Sequence, residues 1–510
     1  MLLPFLNTTN RGTGKQVVEF RGINYSDMTT VGDLRDSKNL SARRYPYLST
    51  RRARAKLEEY SGCTALTARG KLVAVRGTDL LYDGEVVGQV TEGEKQFAVL
   101  NTKMVIFPDK VYLDLTTKEM RPLGAKLSGA GGKFTNKSIT FTDWDDLTKH
   151  FKVGDCITLS GCKVNEANNH DITIKGLTAT EITVEADELK EAEETETLTL
   201  ERKIPDLDYI CESENRLWGC CNATQTIHAS ALGDPTNFYL FESVSTDSWA
   251  VAVGTEGEFT GCCKLSSAVL FWKETKLHKL LGSYPAEYSM YTYEIEGLQK
   301  GCHKSMQVIN ESLYYMGLHG VYSYTGGMPS LMSANFGDKV MTDAVAGNDG
   351  DTYYLSVKDG DKWHLFAHET RSGIWVREDD THVLDFARVG KDLYFLDSNG
   401  EVWLADGRTE DTTQEWMAQF TPFYETIYGR KRYSRLLLRV ELPVGSMMCA
   451  QVCFDDGIWR DAGKLVGRRQ DSIPLMIPIN RCDRFELRLS GEGPCTILAM
   501  MLEYQVGSDV

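Results

Sequence analysis

Five Asp-Gly or Asn-Gly dipeptides, Asp83-Gly84, Asp349-Gly350, Asp359-Gly360, Asn399-Gly400 and Asp456-Gly457, each stand between short runs of Val, Leu, Tyr, Phe and Trp. Glycine takes positive φ without steric cost and Asn or Asp tolerates it, so such a pair between apolar runs is the strongest short-range hairpin signal. A chain punctuated in this way is expected to fold as antiparallel strands. Helical periodicity is scarce: Thr142 to Phe151 is the clearest candidate and Arg51 to Tyr60 the second. A parallel sheet needs a helix between strands, so Rossmann and TIM-barrel folds are excluded.

The hairpins share a texture. KLVAVRGTDLLYDGEVVG from Lys71, ESENRLWGCCNATQTIHAS from Glu212, INESLYYMGLHGVYSYTGG from Ile309 and GKDLYFLDSNGEVWLADG from Gly390 each read as a strand, a tight turn and a second strand. Degenerate repeats of this kind predict the four-stranded blades of a β-propeller, with an array of β-sandwiches as the competing arrangement. A chain of 510 residues exceeds the size at which one core stops growing, so roughly two to four folded units are expected.

Two stretches break the pattern. Lys126 to Lys133 (KLSGAGGK) reads as a small-residue linker, and Ser138 to Arg202 holds several short strands, the size of a small inserted β-barrel. The run Glu185 to Glu196 carries seven carboxylates against one lysine and reads as a solvated acidic loop. After Asp411 the alternation Phe485, Leu487, Leu489 inward against Arg484, Glu486, Arg488 outward predicts a sandwich-like final domain. The expected fold is therefore mainly β: a basic arm at 1–58, a propeller at 59–133 and 204–410, an inserted barrel at 134–203, and a C-terminal β-sandwich-like domain at 411–510.

No window approaches the roughly 18 apolar residues of a membrane span, and Met1 to Leu6 is too short for a signal peptide, so a soluble chain folded in the cytosol is expected. The N-x-S/T triplets at Asn136, Asn222 and Asn310 then read as chance matches. Thirteen scattered cysteines without a C-x-x-C spacing fit a reducing compartment and give neither a zinc ribbon nor a redox motif.

Templates for chemistry fail one by one. Neither Gly12-Thr13-Gly14-Lys15 nor Gly129 to Lys133 has phosphate-loop spacing, and no G-x-S-x-G elbow occurs. Of nine histidines only His364 and His368 stand close, in a strand where they cannot chelate. No catalytic residue, cofactor or metal ligand is expected. A propeller glycosidase needs only two carboxylates about 5 to 9 Å apart, which sequence cannot place.

The net charge of −16 is uneven, because residues 1–56 carry 11 Lys/Arg against 4 Asp/Glu. An acidic remainder repels phosphate, so DNA is not expected as a bound ligand. The basic stretch Arg21 to Ala55, with Arg43, Arg44, Arg51, Arg52 and Arg54 around Tyr45 and Tyr47, has little to bury by itself. It is expected to dock by charge, either on this protein's own acidic body or on a neighbouring subunit. These seven residues are the candidate interface.

The phrase F-R-G-I-N…D…G-D-L…N-L-S-A-R-R-Y-P-Y-L…R-R from Phe20 to Arg52 resembles the opening of tail proteins of the hub, nozzle or stabilisation type in short-tailed bacteriophages. The closing phrases resemble the end of the same class: Lys431-Arg432, Arg435-Leu436, Asp455 to Trp459, Arg481 to Gly493 and Gly507-Ser508-Asp509. The insertion from Ser138 to Arg202 departs from it. The resemblance implies a non-enzymatic virion protein forming a ring of six copies below the portal and adaptor. Such a ring continues the DNA channel, and its acidic lumen lets DNA slide without binding. The competing function is a propeller at the tail tip that binds or cleaves carbohydrate, which would require an aromatic-lined cleft with paired carboxylates.

Overall fold

The computed structural model of the chain describes residues 13–409, 411–425 and 429–506. Among the described residues, seven antiparallel sheets of four strands follow one another and form the blades of a β-propeller. Blade 1 runs from Ala65–Arg69 to Glu85–Gln89, blade 2 from Gln96–Leu100 to Met120–Pro122, and blade 3 from Tyr209–Ser213 to Trp249–Ala252. Blade 4 runs from Gly261–Leu265 to Ser289–Glu294, blade 5 from Gln307–Ile309 to Ser330–Leu331, and blade 6 from Met341–Asn348 to Ile374–Asp379. Blade 7 takes three strands, Val383–Val389, Asp392–Asp397 and Val402–Leu404, and borrows its fourth, Ala55–Leu57, from the N-terminal segment.

The turns are those the dipeptides predict in part. Asp83 and Gly84 both take positive φ, 54° and 82°, as a two-residue hairpin turn of this hand requires. Glu214-Asn215 and Asn310-Glu311 make the same kind of turn without glycine, at φ 51° and 56° and at φ 49° and 63°. The strands that the last two join bury the large side chains: Trp218 and Tyr315 are fully buried.

The chain divides into two compact units, Met1–Leu72 with Lys304–Val510, and Val73–His303. In the second, a seven-stranded sheet interrupts the blades between Pro122 and Tyr209. Its core is Phe134, Ile139, Phe141, Ile157, Leu159, Ile172, Ile182, Leu198 and Leu200. KLSGAGGK is no linker: it lies in the strand Ala125–Phe134. A Cβ on Gly129 would sit 2.5 Å from the Trp144 ring, so the glycine admits an indole that a larger residue would expel. The helix expected from Thr142 to Phe151 shrinks to one 3-10 turn, Leu147–Lys149, capped by the Asp146 carboxylate.

The acidic run is also only partly a solvated loop. Glu194 is 2% exposed in the strand Ala192–Arg202, and its carboxylate accepts from the backbone N–H groups of Lys163, Val164 and Asn165 at 2.9–3.0 Å. Burial alone would raise this carboxyl; the three backbone donors outweigh it and hold the group below its ordinary range.

The first and last strands of this sheet run antiparallel, with Ala125 opposite Arg202, so the two ends lie side by side. Removing residues 125–202 and bridging the gap with a short Gly/Ser linker is expected to preserve a cooperative melt. The cost is the hydrogen bond from Asn237 to the Gly154 carbonyl, the two from Arg202 to the Leu123 carbonyl, and the pairs Lys152–Asp234 and Lys175–Glu242, together about 2–6 kcal/mol. Loss of the cooperative transition would show that the sheet is a structural part of the propeller.

In the first unit, a ten-stranded sheet with half-barrel curvature joins the two ends of the chain. The segment 13–50 supplies five strands: Thr13–Val17, Gly22–Ile23, Asp33–Lys38, Leu40–Ser41 and Leu48–Thr50. They pair with Glu415–Phe420 and Thr496–Val506, and the sheet is completed by Glu486–Glu492 and the two long strands Lys431–Cys453 and Trp459–Met476. The expectation that this segment has little of its own to bury is overturned, because Phe20, Ile23, Leu34, Leu40 and Leu48 are all buried. The second expected helix, Arg51 to Tyr60, is the blade-closing strand Ala55–Leu57 followed by a single 3-10 turn. Extended backbone wins there because pairing with Val402–Leu404 satisfies its polar groups.

Candidate functional site: an arginine cluster and a charged cavity

The outer strand of blade 6, Ile374–Asp379, ends in two adjacent carboxylates. Arg54 reaches both: its guanidinium donates to Glu378 Oε2 and lies beside Asp379 Oδ2, each at 2.8 Å. It also donates to Thr381 Oγ1 at 3.1 Å and covers the Phe395 ring at 4.9 Å. Arg51 stands on the other side of the same carboxylates, at 3.7 Å from Glu378 and 3.6 Å from Asp379, and donates to Asn39 Oδ1 at 2.9 Å. Both arginine side chains are nearly buried, at 13% and 10% exposure.

The electrostatics follow from that burial. For Arg54, burial opposes the charge, but Asp379 and Glu378 outweigh it and raise its pKa. Arg51 is lowered, by burial first and then by repulsion from Arg54. Asp379 would be raised by burial, yet Arg54 and its other partners hold it below the ordinary carboxylate range. These four groups form one ion cluster that anchors the N-terminal segment to blade 6.

The remaining candidates lie further out. Arg43 donates to Tyr354 Oη at 2.9 Å and pairs with Asp349 and, at 3.5 Å, Asp406. Arg44 donates to Thr496 Oγ1 at 2.7 Å and pairs with Glu441 at 3.3 Å. Arg52 pairs with Asp406 at 3.3 Å and is largely exposed. The Tyr45 hydroxyl donates to Glu19, and Tyr47 is exposed. All five arginines therefore find carboxylates within their own unit. The structure brings Arg51 with Arg54 and Arg43 with Arg52 around shared acids, and sets Arg44 apart.

Sequence reading missed the acids that receive them. Glu378 and Asp379 sit in the run R-E-D-D at 377–380, and an acidic doublet closing an apolar strand was the available signal. It missed a cavity too. Arg43, Tyr45, Asp349, Glu369, Asp392 and Arg408 line a space of about 780 Å³ at the turns of blades 6 and 7. Burial, and then the nearby charge of Asp351, push the Glu369 carboxyl above its ordinary range. A carboxyl lining such a space can accept hydrogen bonds from the hydroxyls of a ligand.

The other sequence candidates do not assemble. His364 bonds Asp380 at 2.9 Å, whereas His368 is buried and stacked on Trp375. Gly14 and Lys15 lie in the strand Thr13–Val17, while Gly12 and the closing Gly507-Ser508-Asp509 fall outside the described residues. Among the described residues, no group of three or more His, Cys, Asp or Glu is arranged to hold a metal ion. No helix among them is long and apolar enough to cross a membrane.

No protein-family model and no curated protein matches this chain. Among solved structures, Hsv2 of the yeast Kluyveromyces marxianus aligns over 73% of this chain and 97% of its own, at 10% identity and a TM-score of 0.30. PorZ, a surface component of the type-IX secretion system of Porphyromonas gingivalis, aligns over 87% of this chain and 77% of its own, at 8% identity and a TM-score of 0.28. An exo-β-1,3-galactanase from Phanerochaete chrysosporium aligns over 56% and 92%, at 6% identity and a TM-score of 0.23. Similarity at this level carries no inference about activity, ligand or partner.

Proposed function

We propose that the chain is a non-catalytic structural protein of a bacteriophage tail, of the hub or nozzle kind, built into a ring below the portal and adaptor. The observation that carries this reading is the ten-stranded sheet. The two ends of the chain whose phrases resemble tail proteins, around Phe20 to Arg52 and Lys431 to Gly493, are strands of this one sheet, linked through Glu415–Phe420 and Thr496–Val506, which pair with both. The motifs thus belong to one structural element.

The charge supports the same reading. A formal net charge of −16 discourages adhesion to DNA that passes close by, which suits a conduit better than a binder. The candidate interface narrows in consequence. Arg51 and Arg54 are spent on the fold, so Arg43, Arg44, Tyr45, Tyr47 and Arg52 are the members with exposed surface for a neighbour.

Cryo-electron microscopy of the virion, with mass spectrometry of its proteins, tests the proposal. The expected result is this chain at a fixed copy number, six per particle, in a ring next to the portal assembly. Absence of the chain from purified particles would refute it. The cavity beside Glu369 favours a second reading, a carbohydrate site at a tail tip. Glycan binding abolished by Glu369→Gln, with the chain at the distal end of the tail, would select that reading over the ring.

A further inference from the structure

The two long strands Lys431–Cys453 and Trp459–Met476 form a ribbon, paired from Arg435 opposite Met476 to Cys453 opposite Trp459. On its other side the first strand also pairs with Glu486–Glu492 and Thr496–Val506. Among the described residues no second strand pairs with Trp459–Met476. Eighteen residues of strand therefore end the sheet as an open edge, a row of N–H and C=O groups facing outward. Edges of this length are ordinarily shortened or covered, because they template pairing with another chain.

The apolar surface points the same way. Val444 is 88% exposed, Val466 63%, Met476 66% and Ile479 81%, all on this ribbon or just beyond it. A Cβ on Gly467 would touch the Val444 backbone, and Val466 stands opposite Met447, so both exposed valines lie midway along the ribbon. Pro474 lacks an N–H, which leaves the edge ahead of it, towards Trp459, as the part able to donate. The charge decides the partner. Lys431 is buried on Asp483, and residues 432–476 carry seven Lys/Arg against five Asp/Glu in a chain whose net charge is −16, so the surface complementary to this mildly basic ribbon is the rest of the same molecule.

We propose that this ribbon is the contact by which one copy joins the next: its open edge and the Val444–Val466 patch are covered by an acidic surface of a neighbouring copy. A basic surface meeting a different, acidic one is a heterologous contact, the kind that closes into rings. The assignment rests on the ring reading above and adds its joint.

The test uses the full chain in assembled particles. Val444→Asp with Val466→Asp places charge on exposed positions, so the melt of the isolated subunit is expected to stay in place. Incorporation into particles is expected to fall at least about tenfold. Should the double variant melt early, Lys464→Glu is read instead, since it reverses one exposed charge without touching the apolar patch. Cross-linking from Lys464 in wild-type particles is expected to reach a second copy of this chain. Wild-type rings that incorporate both variants at normal copy number overturn the ribbon assignment and leave the ring standing. Cross-links from Lys464 to other tail proteins alone overturn it equally. Wild-type chain missing from particles overturns the ring reading itself.

Discussion

Replacing Arg54 with alanine is expected to lower the stability of the full chain by about 3–5 kcal/mol, read as a shift of the denaturation midpoint followed by tryptophan fluorescence. The magnitude comes from what is left behind. Glu378 and Asp379 are adjacent and nearly buried, and Arg54 provides the two 2.8 Å contacts that balance them. Arg51 stands almost 1 Å further from both and is itself already used by Asn39. Removing one partner of a buried pair leaves uncompensated charge, which costs far more than the pair contributes. Arg54→Lys keeps the charge but loses the planar fork that spans two carboxylates, so an intermediate loss is expected. Arg52→Ala supplies the contrast: its single pair with Asp406 is solvent-exposed and should cost about 0–1 kcal/mol. A loss below about 1 kcal/mol for Arg54→Ala would mean that Arg51 or water satisfies the carboxylates without it.

The blades were legible because their turns announce themselves. Asp83-Gly84 and its relatives advertise positive φ through glycine, and the alternating apolar runs on either side fix which face is buried. Glu214-Asn215 and Asn310-Glu311 make the same turn with no glycine and with a glutamate, which ordinarily avoids it, at one of the two positions, so the dipeptide signal is missing there. The glycines of KLSGAGGK misled in the opposite direction. They read as flexibility, whereas Gly129 is small because Trp144 packs against its backbone, a demand made by a residue fifteen positions away.

The N-terminal segment was misjudged because charge density drew attention from spacing. Phe20, Ile23, Leu34, Leu40 and Leu48 are separated by up to eleven residues, too far apart to read as one amphipathic element. They are buried by strands that arrive from the other end of the chain. The arginines themselves were legible as a cluster, but the acids that receive them lie more than 300 residues away, which no local pattern shows. The cavity beside Glu369 was invisible for the same reason: turns of two different blades make it.

Acid should weaken both units well above the pH at which ordinary carboxylates titrate. His368 is fully buried, stacked on Trp375 at 4.4 Å, and burial depresses its pKa to about 4. His278 is fully buried in the other unit, hydrogen-bonded to Thr255 and Thr292. Burial, then repulsion from Lys273 and Lys276, depresses it to about 4 as well. In the unfolded chain both return to the ordinary histidine value of 6.5, so the unfolded state binds more protons between those limits. Stability is complete above about pH 6.5, falls as pH drops, and levels off below about 4, with each histidine accounting for about 3 kcal/mol. Asp379 does not contribute in this window, because its folded pKa is held below the ordinary 3.8 and its stabilisation is lost only in stronger acid. Glu369 and Asp155 run the other way: burial raises both, so protonating them favours the folded state and offsets part of the loss. Thermal melts from pH 7.5 to 4 should show the fall, and His368→Gln and His278→Gln should each flatten it by that residue's share. A wild-type midpoint that stays level from pH 7 to 5 would show that these imidazoles accept protons without leaving the core.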